Sequence, residues 1–236
     1  MKFNHSLRST VALAAALAAG YLMIFPVSPA RAGKHPEPSL YPLPNAWYFT
    51  FKHGMPRRIV VDVPGLKVPT AYWYLSYTVT NNSGKEADFL PDFEMVTEDG
   101  KIRPSDRNIP LPVFDAIKKV LGNDLLVSPT QVAGPLHQGE DQAKDSVAIW
   151  EEPSARMGTF SIYVGGLNSE FIHATDNDGK PVPVLDKDGN PVLDAAGKPV
   201  PITLRKTLEL DYVIYGDEIA PEKDEVHFKG ETWLMR

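Results

Sequence analysis

Hydrophobic and polar positions alternate with a period of two along most of this chain, and the clearest run spans residues 71–80. Trp73, Leu75, Tyr77 and Val79 fall on one side of the alternation, with Tyr72, Tyr74, Ser76, Thr78 and Thr80 on the other. Aromatic and β-branched residues fill both rows, and Asn81, Asn82, Ser83 and Gly84 supply turn chemistry at the end. This pattern predicts a half-buried strand at the centre of a sheet. Residues 45–52 alternate in the same way, with Trp47, Phe49 and Phe51 on one face and Tyr48, Thr50 and Lys52 on the other. So do residues 57–63, through Ile59, Val61 and Val63, and Gly54 and Pro56 between the two runs predict a hairpin.

Short strands are expected at 87–90 and 93–97, the second followed by the turn Glu98-Asp99-Gly100-Lys101, and again at 145–150 and 157–164. At 204–215, Leu204, Leu208, Leu210, Tyr212 and Ile214 share one face of a strand expected to be half-solvated and edge-tolerant. The last strand, 225–235, is expected to turn Val226, Phe228 and Leu234 inward and His227, Lys229 and Glu231 outward. One segment reads as a helix, residues 112–121. Proline stands at its start, Val113, Ile117, Val120 and Leu121 follow helical spacing, Lys118 and Lys119 come late, and Gly122 is its stop. Many short alternating strands, one brief helix and frequent Gly/Pro turns predict a mostly β, two-sheet sandwich.

Between the strand groups lies a low-complexity insertion, 174–203, with three imperfect copies of one unit: Asp178-Gly179-Lys180-Pro181-Val182, Asp188-Gly189-Asn190-Pro191-Val192 and Ala196-Gly197-Lys198-Pro199-Val200. The repeat is too short for a solenoid unit, and each turn between extended pieces predicts a protruding meander of hairpins whose prolines blunt its edges. Asp176, Asp178, Asp186 and Asp188 supply hard oxygen ligands two residues apart, which makes calcium a candidate cofactor. The spacing is not that of an EF-hand, because Ala174 and Val184 stand at position 1 and Leu185 and Ala195 at position 12. Solvated turn chemistry accounts for the same aspartates.

The ends and the composition add a compartment. Lys2 and Arg8, an apolar run over 11–25, and then Pro26, Ser28, Pro29 and Ala30-Arg31-Ala32 have the three-part form of a secretory signal peptide over 1–32. The apolar run is short of the roughly 20 residues that span a bilayer, so cleavage is expected over anchoring, with no membrane attachment afterwards. A Pro-rich leader, 33–44, reads as an extended linker before a single domain over 45–236. The expected location is periplasmic or secreted. With no cysteine in 236 residues, disulfides, thiolate metal sites and cysteine nucleophiles are excluded. The net charge is −6 with 24 Lys and Arg against 30 Asp and Glu, and −9 when Lys2, Arg8 and Arg31 are set aside. That balance argues against a nucleic-acid partner.

Three tyrosines form the candidate ligand site. Tyr48, Tyr72 and Tyr74 fall opposite the main apolar faces and, in one sheet, would make an aromatic platform for a polysaccharide or a protein partner. The competing expectation is a second core, with Tyr72 and Tyr74 covered by the helix or the insertion. Lys52, His53, Arg57 and Arg58 form a dense basic cluster that would suit an anion, or a solvated turn. The acidic stretch Asp217, Glu218, Glu222, Asp224 and Glu225 reads as an exposed loop. No HExxH, GxSxG, P-loop or dinucleotide fingerprint is present, so a hydrolase would need a site assembled from distant loops.

The segment Thr78-Val79-Thr80-Asn81-Asn82-Ser83-Gly84-Lys85, together with Gly158-Thr159-Phe160-Ser161-Ile162-Tyr163-Val164, resembles recurring pieces of immunoglobulin-like β-sandwich domains in exported bacterial proteins of uncharacterised function. The resemblance implies an immunoglobulin-like sandwich with a noncatalytic adhesion, scaffold or binding role, and carries over no functional residues. The chain departs from antibody-type domains in lacking their cysteine pair. The leading expectation is therefore a noncatalytic protein making protein contacts in the cell envelope or outside the cell. The alternatives are a carbohydrate-binding module on the tyrosine face and a hydrolase with a loop-built site.

Overall fold

In chain order the strands are β1 (Thr50–His53), β2 (Arg57–Val61), β3 (Thr70–Thr80), β4 (Ala87–Phe89), β5 (Asp92–Thr97), β6 (Ile102–Pro104), β7 (Gly134–Leu136), β8 (Lys144–Glu151), β9 (Thr159–Gly165), β10 (Phe171–His173), β11 (Thr203–Ile214) and β12 (Val226–Met235). Helices α1 (Leu111–Leu121) and α2 (Pro129–Val132) fall between β6 and β7. This is a computed structural model, and it describes residues 36–153, 157–215 and 225–236. The signal peptide expected at 1–32 and the acidic residues Asp217, Glu218, Glu222 and Asp224 lie outside the described residues. Among those that are described, no helix is long and apolar enough to cross a membrane.

The first sheet is built on β3. Along one edge β3 pairs β8 from Tyr72↔Glu151 to Val79↔Lys144, and along the other it pairs β1 and then β2. β1 and β2 were expected to form a hairpin, but they run in one direction end to end. His53 lies opposite Tyr77 and Arg57 opposite Tyr74, so Gly54-Met55-Pro56 adds one residue to a continuous edge strand. The physical reason is that the ladder survives the break: Gly54 N–H still bonds the Ser76 carbonyl at 2.8 Å, while Pro56 has no N–H to donate.

The second sheet runs β6-β5-β9-β11-β12, with every pairing antiparallel. β10 extends the β9 side of β11, at Phe171↔Arg205 to His173↔Thr203. β11, expected as an edge-tolerant strand, is thus paired on both edges. β4 and β7 form a separate two-stranded ribbon.

The facing rows of the two sheets make the main core. Trp73, Leu75, Tyr77 and Val79 of β3, with Ala148 and Trp150 of β8, meet Phe93 and Met95, Phe160, Ile162 and Val164, and Leu208, Leu210 and Tyr212. The fold is therefore a mostly β, two-sheet sandwich. A second core lies on the other side of the first sheet, where Tyr72, Tyr74, Val147 and Ile149 pack under Val113 and Ile117 of α1. From Tyr72 to Leu75, β3 is buried on both faces rather than on one. The helix has the stop read from its sequence: Gly122, at φ 62°, donates its N–H to the Lys118 carbonyl at 3.0 Å.

The far edge of β8 is closed by loops. Asp106 N–H bonds the Ile149 carbonyl at 2.7 Å, Ile149 N–H donates to Asp106 Oδ1 at 3.0 Å, and Val127 N–H bonds the Asp145 carbonyl at 2.8 Å. Asp106 holds φ 59°, a left-handed conformation that Asp tolerates better than most residues.

The last strand departs from its expected facing. β12 carries a bulge where Asp211 meets Gly230 and Tyr212 meets Phe228, leaving Lys229 as the extra residue. Val226 and Phe228 turn inward as expected, but beyond the bulge the alternation is reversed. Glu231 and Trp233 stand opposite Leu210 and Leu208 on the inner side, and Leu234 falls on the outer side.

The insertion is a branched set of hairpins. Bridges join Thr175 to Pro181, Leu185 to Pro191 and Leu193 to Pro199, and Pro183 to Pro201 closes the stem. At each tip one aspartate organises the turn: Asp176 Oδ1 accepts from Asp178 and Lys180 N–H, Asp186 Oδ1 from Asp188 and Asn190, and Asp194 Oδ1 from Ala196 and Lys198.

Two outcomes follow from these contacts. Gly166, at φ 82°, packs so closely on the Leu90 carbonyl that an added Cβ would overlap it, whereas Gly84, at φ 81°, has open space. Gly166→Ala is therefore expected to cost roughly 1–3 kcal/mol more than Gly84→Ala in urea unfolding, because the two share the conformational penalty and only the first adds an overlap. Burial raises the Asp106 carboxyl to about 6, against the hydrogen bonds from Ser105 and from Ile149 N–H. A raised carboxyl binds its proton more tightly when folded, so this group's stabilisation is full below about 4 and is lost as pH rises through about 6. Unfolding free energies at pH 4 and 7 should show a loss on the order of 2 kcal/mol that Asp106→Asn removes.

Candidate functional site: the open seam beside the last strand

The first sheet ends at β1 and β2, while the second continues outward to β12. The inner face of β12 therefore overhangs a seam between the sheets, floored by Tyr212 and closed on the other side by His53 of β1. The His53 ring lies 5.6 Å from that of Phe228 and 6.0 Å from that of Phe51, its Nδ1 is 3.3 Å from the Tyr212 hydroxyl and 2.9 Å from the Gly54 carbonyl, and its Nε2 is 4.0 Å from Glu231. Burial, with the Glu231 charge beside it, pushes the Tyr212 phenol well above its ordinary range, so this hydroxyl stays neutral.

The other end of the seam holds a buried ion pair. Lys206 Nζ lies 3.2 Å from Glu170 Oε2, donates to the Ser39 carbonyl at 2.9 Å, and stands over the rings of Tyr48 at 5.4 Å and Trp233 at 5.5 Å. Glu170 also accepts from Ser39 N–H at 2.8 Å, Ser39 Oγ at 2.7 Å and the Tyr48 hydroxyl at 3.0 Å. Burial raises the Glu170 carboxyl, but these donors outweigh it and hold the group below the usual carboxylate range. The leader read as a free linker is thus fastened at Ser39 by charge-assisted bonds. No local sequence signal pairs Ser39 with Glu170, which lies 131 residues away.

Over this seam β12 keeps one edge without a strand partner among the described residues. Phe228 is 43% exposed and Trp233 37%. The remaining long edges differ: β8 is closed by Asp106 and Val127, and the β1–β2 edge is interrupted by its bulge.

The expected tyrosine platform does not form. Tyr72 and Tyr74 are each 2% exposed beneath α1, because their row faces the helix, and only Tyr48 reaches the seam. The expected calcium ligands are divided between two hairpin tips, Asp176 and Asp178 in one and Asp186 and Asp188 in the next, where Asp176 and Asp186 already accept backbone N–H groups. Among the described residues, no three His, Asp or Glu side chains gather as a metal site. The basic cluster is also dispersed: His53 enters the seam, whereas Arg58 forms a two-bond pair with Glu152 at 2.6 and 3.1 Å.

A second depression lies on the outer face of the second sheet. About 590 Å³ of space is bordered by Trp47, Asp92, Tyr163, Gly166 and Arg205, and Arg236 closes it. The Arg236 guanidinium sits 4.2 Å over the Tyr163 ring and 2.6 Å from Glu94, so the ring face is already occupied. Burial and the hydrogen bond to Glu209 push the Tyr163 phenol up to about 12. Comparison with protein-family models, curated proteins and solved structures found no match.

The buried pair yields a direct outcome. Glu170→Gln leaves the Lys206 charge without its counterion and is expected to cost about 3–5 kcal/mol, with Glu170→Gln/Lys206→Met recovering part of the loss. Because the Glu170 carboxyl is depressed, its stabilisation is present above the ordinary carboxylate value and disappears as pH falls through the folded one. Chemical unfolding of the two variants with pH checks both statements.

Proposed function

We propose that the protein is an exported, noncatalytic binding protein of immunoglobulin-like architecture that works through protein contacts in the periplasm or outside the cell. The strand order supports the architectural part. With β1 and β2 taken as one strand, the sheet β1/β2-β3-β8 corresponds to A-B-E, and β6-β5-β9-β11 to C′-C-F-G, in chain order as well as in space. The tripartite start of the sequence supports export.

The observation that carries the binding role is the free edge of β12 with Phe228 and Trp233 beside it. An extended segment of a partner adds to such an edge through backbone hydrogen bonds and sets its side chains alternately against the seam and the outer face. Affinity comes from the ladder and the two aromatic rings, and selectivity from Glu231, His53 and the bulged Lys229.

A photocrosslinking residue placed at Trp233, and in a second variant at Phe228, tests this in the cells that make the protein. Discrete protein adducts are expected from both positions and not from a control probe at exposed Leu125. The same adducts from the control, or Trp233-dependent retention on polysaccharide with no protein adduct, would overturn the reading in favour of an indifferent surface or of a carbohydrate-binding module.

A further inference from the structure

We infer that the free edge of β12 pairs with the β12 edge of a second copy of this chain, across a two-fold axis, so that the second sheets of the two copies become one. This rests on the reading of β12 as the binding edge and names its occupant.

The direction of the backbone groups comes first. Arg205 and Arg236 exchange both backbone hydrogen bonds, so alternation turns the N–H and C=O of Met235, Trp233 and Glu231 away from β11. On β11 the N–H of Ile214 bonds the Gly158 carbonyl on the β9 side, so Ile214 and Tyr212 face β9 and their opposites, Val226 and Phe228, face the free edge. Five residues of β12 thus turn backbone groups and inner-side side chains the same way; Val226, Phe228, Glu231 and Trp233 are open there with no strand partner among the described residues, while Met235 is buried where Pro36–Pro38 of the leader approach.

Only some registers satisfy both conditions. In an antiparallel pair across a two-fold axis, residues directly opposed must share a face and must both direct their backbone groups into the new ladder. The bulge at Lys229 reverses the alternation, so the residues before it match those after it in the second copy. One register sets Phe228 opposite Trp233, a pair that occurs twice. Shifting by two residues sets Phe228 against Glu231 instead, and shifting by one puts inner residues against outer ones.

The preferred register therefore covers the two exposed aromatics with each other, an aromatic cross-strand pair on each side of the axis. It also brings the bulged Lys229 of each copy beside Thr232 and Glu231 of the other. The edge carries Lys229 and Glu231 in equal number, so two copies of an acidic protein meet here without a net like charge. The two bulges face each other at the centre and leave two short ladders flanking it.

Sedimentation of the purified protein between about 1 and 100 μM, the range in which a moderate interface dissociates, should show a monomer–dimer equilibrium. Phe228→Lys/Trp233→Lys places like charges opposite each other and should weaken the dimer at least about tenfold, whereas Phe228→Glu/Trp233→Lys places opposite charges there and should restore it relative to the first variant. Thermal unfolding checks that both variants are folded. The wild-type equilibrium, and a crosslink from residue 233 to residue 228 of the other copy, stand without them. A wild-type monomer throughout the range would overturn the proposal, and equal dimerisation of the two variants would overturn its register. If the wild type is monomeric while the probe at 233 still captures a different protein, self-pairing fails and the binding edge stands. If it captures nothing, both fail.

Discussion

The contact on which the structure depends is that of the inner row of β3 with the inner rows of β5 and β9. Trp73 lies against Phe160, ring centres 5.9 Å apart, and Tyr77 against Phe93 at 4.9 Å. These large rings fix where the two sheets meet. They also fix what is left over, because the first sheet is narrower than the second. On one flank α1 and the Asp106 loop take up the slack by covering the outer face and closing the edge of β8. On the other flank β12 has no strand partner among the described residues, the leader reaches only its Trp233–Arg236 end, and the seam beneath it remains open.

Single-residue insertions in the ladders then decide the chemistry of that seam. The extra residue at Gly54-Met55-Pro56 keeps β1 and β2 on one line and sets His53 beside Tyr212 and Phe228. The extra residue at Lys229 turns Trp233 and Glu231 to the inner side. Without the second bulge, Trp233 would face outward and its stacking distance from Lys206 would be lost. The Glu170–Lys206 pair adds a third element by holding Ser39 and the leader at the seam's end.

Much of this was legible in the sequence where a signal is local and repeated. The alternation at 71–80 located β3 and its two rows, the Gly122 stop ended α1, and the Asp-Gly units announced the hairpins of the insertion. A one-residue bulge leaves almost no mark in a period-two pattern, so the pattern alone predicts a hairpin along the β1–β2 line and turns Leu234 inward. A half-polar row such as Tyr72, Tyr74, Ser76 and Thr78 looks the same whether water or a helix covers it, and here the helix does. The candidate site was the least legible part. Of the three tyrosines only Tyr48 belongs to it, and its other members, Glu170, Lys206, Phe228 and Trp233, are joined by contacts across 16 to 175 residues that no spacing rule encodes.

Whether β12 presents an open edge is tested most directly by residue-resolved amide hydrogen exchange in dilute protein. An open edge predicts rapid exchange at Val226, Phe228, Glu231 and Trp233, interleaved with protection at His227, Thr232 and Leu234, whose N–H groups face β11. Uniform protection along β12 in dilute protein would contradict it, because the edge would then already be covered.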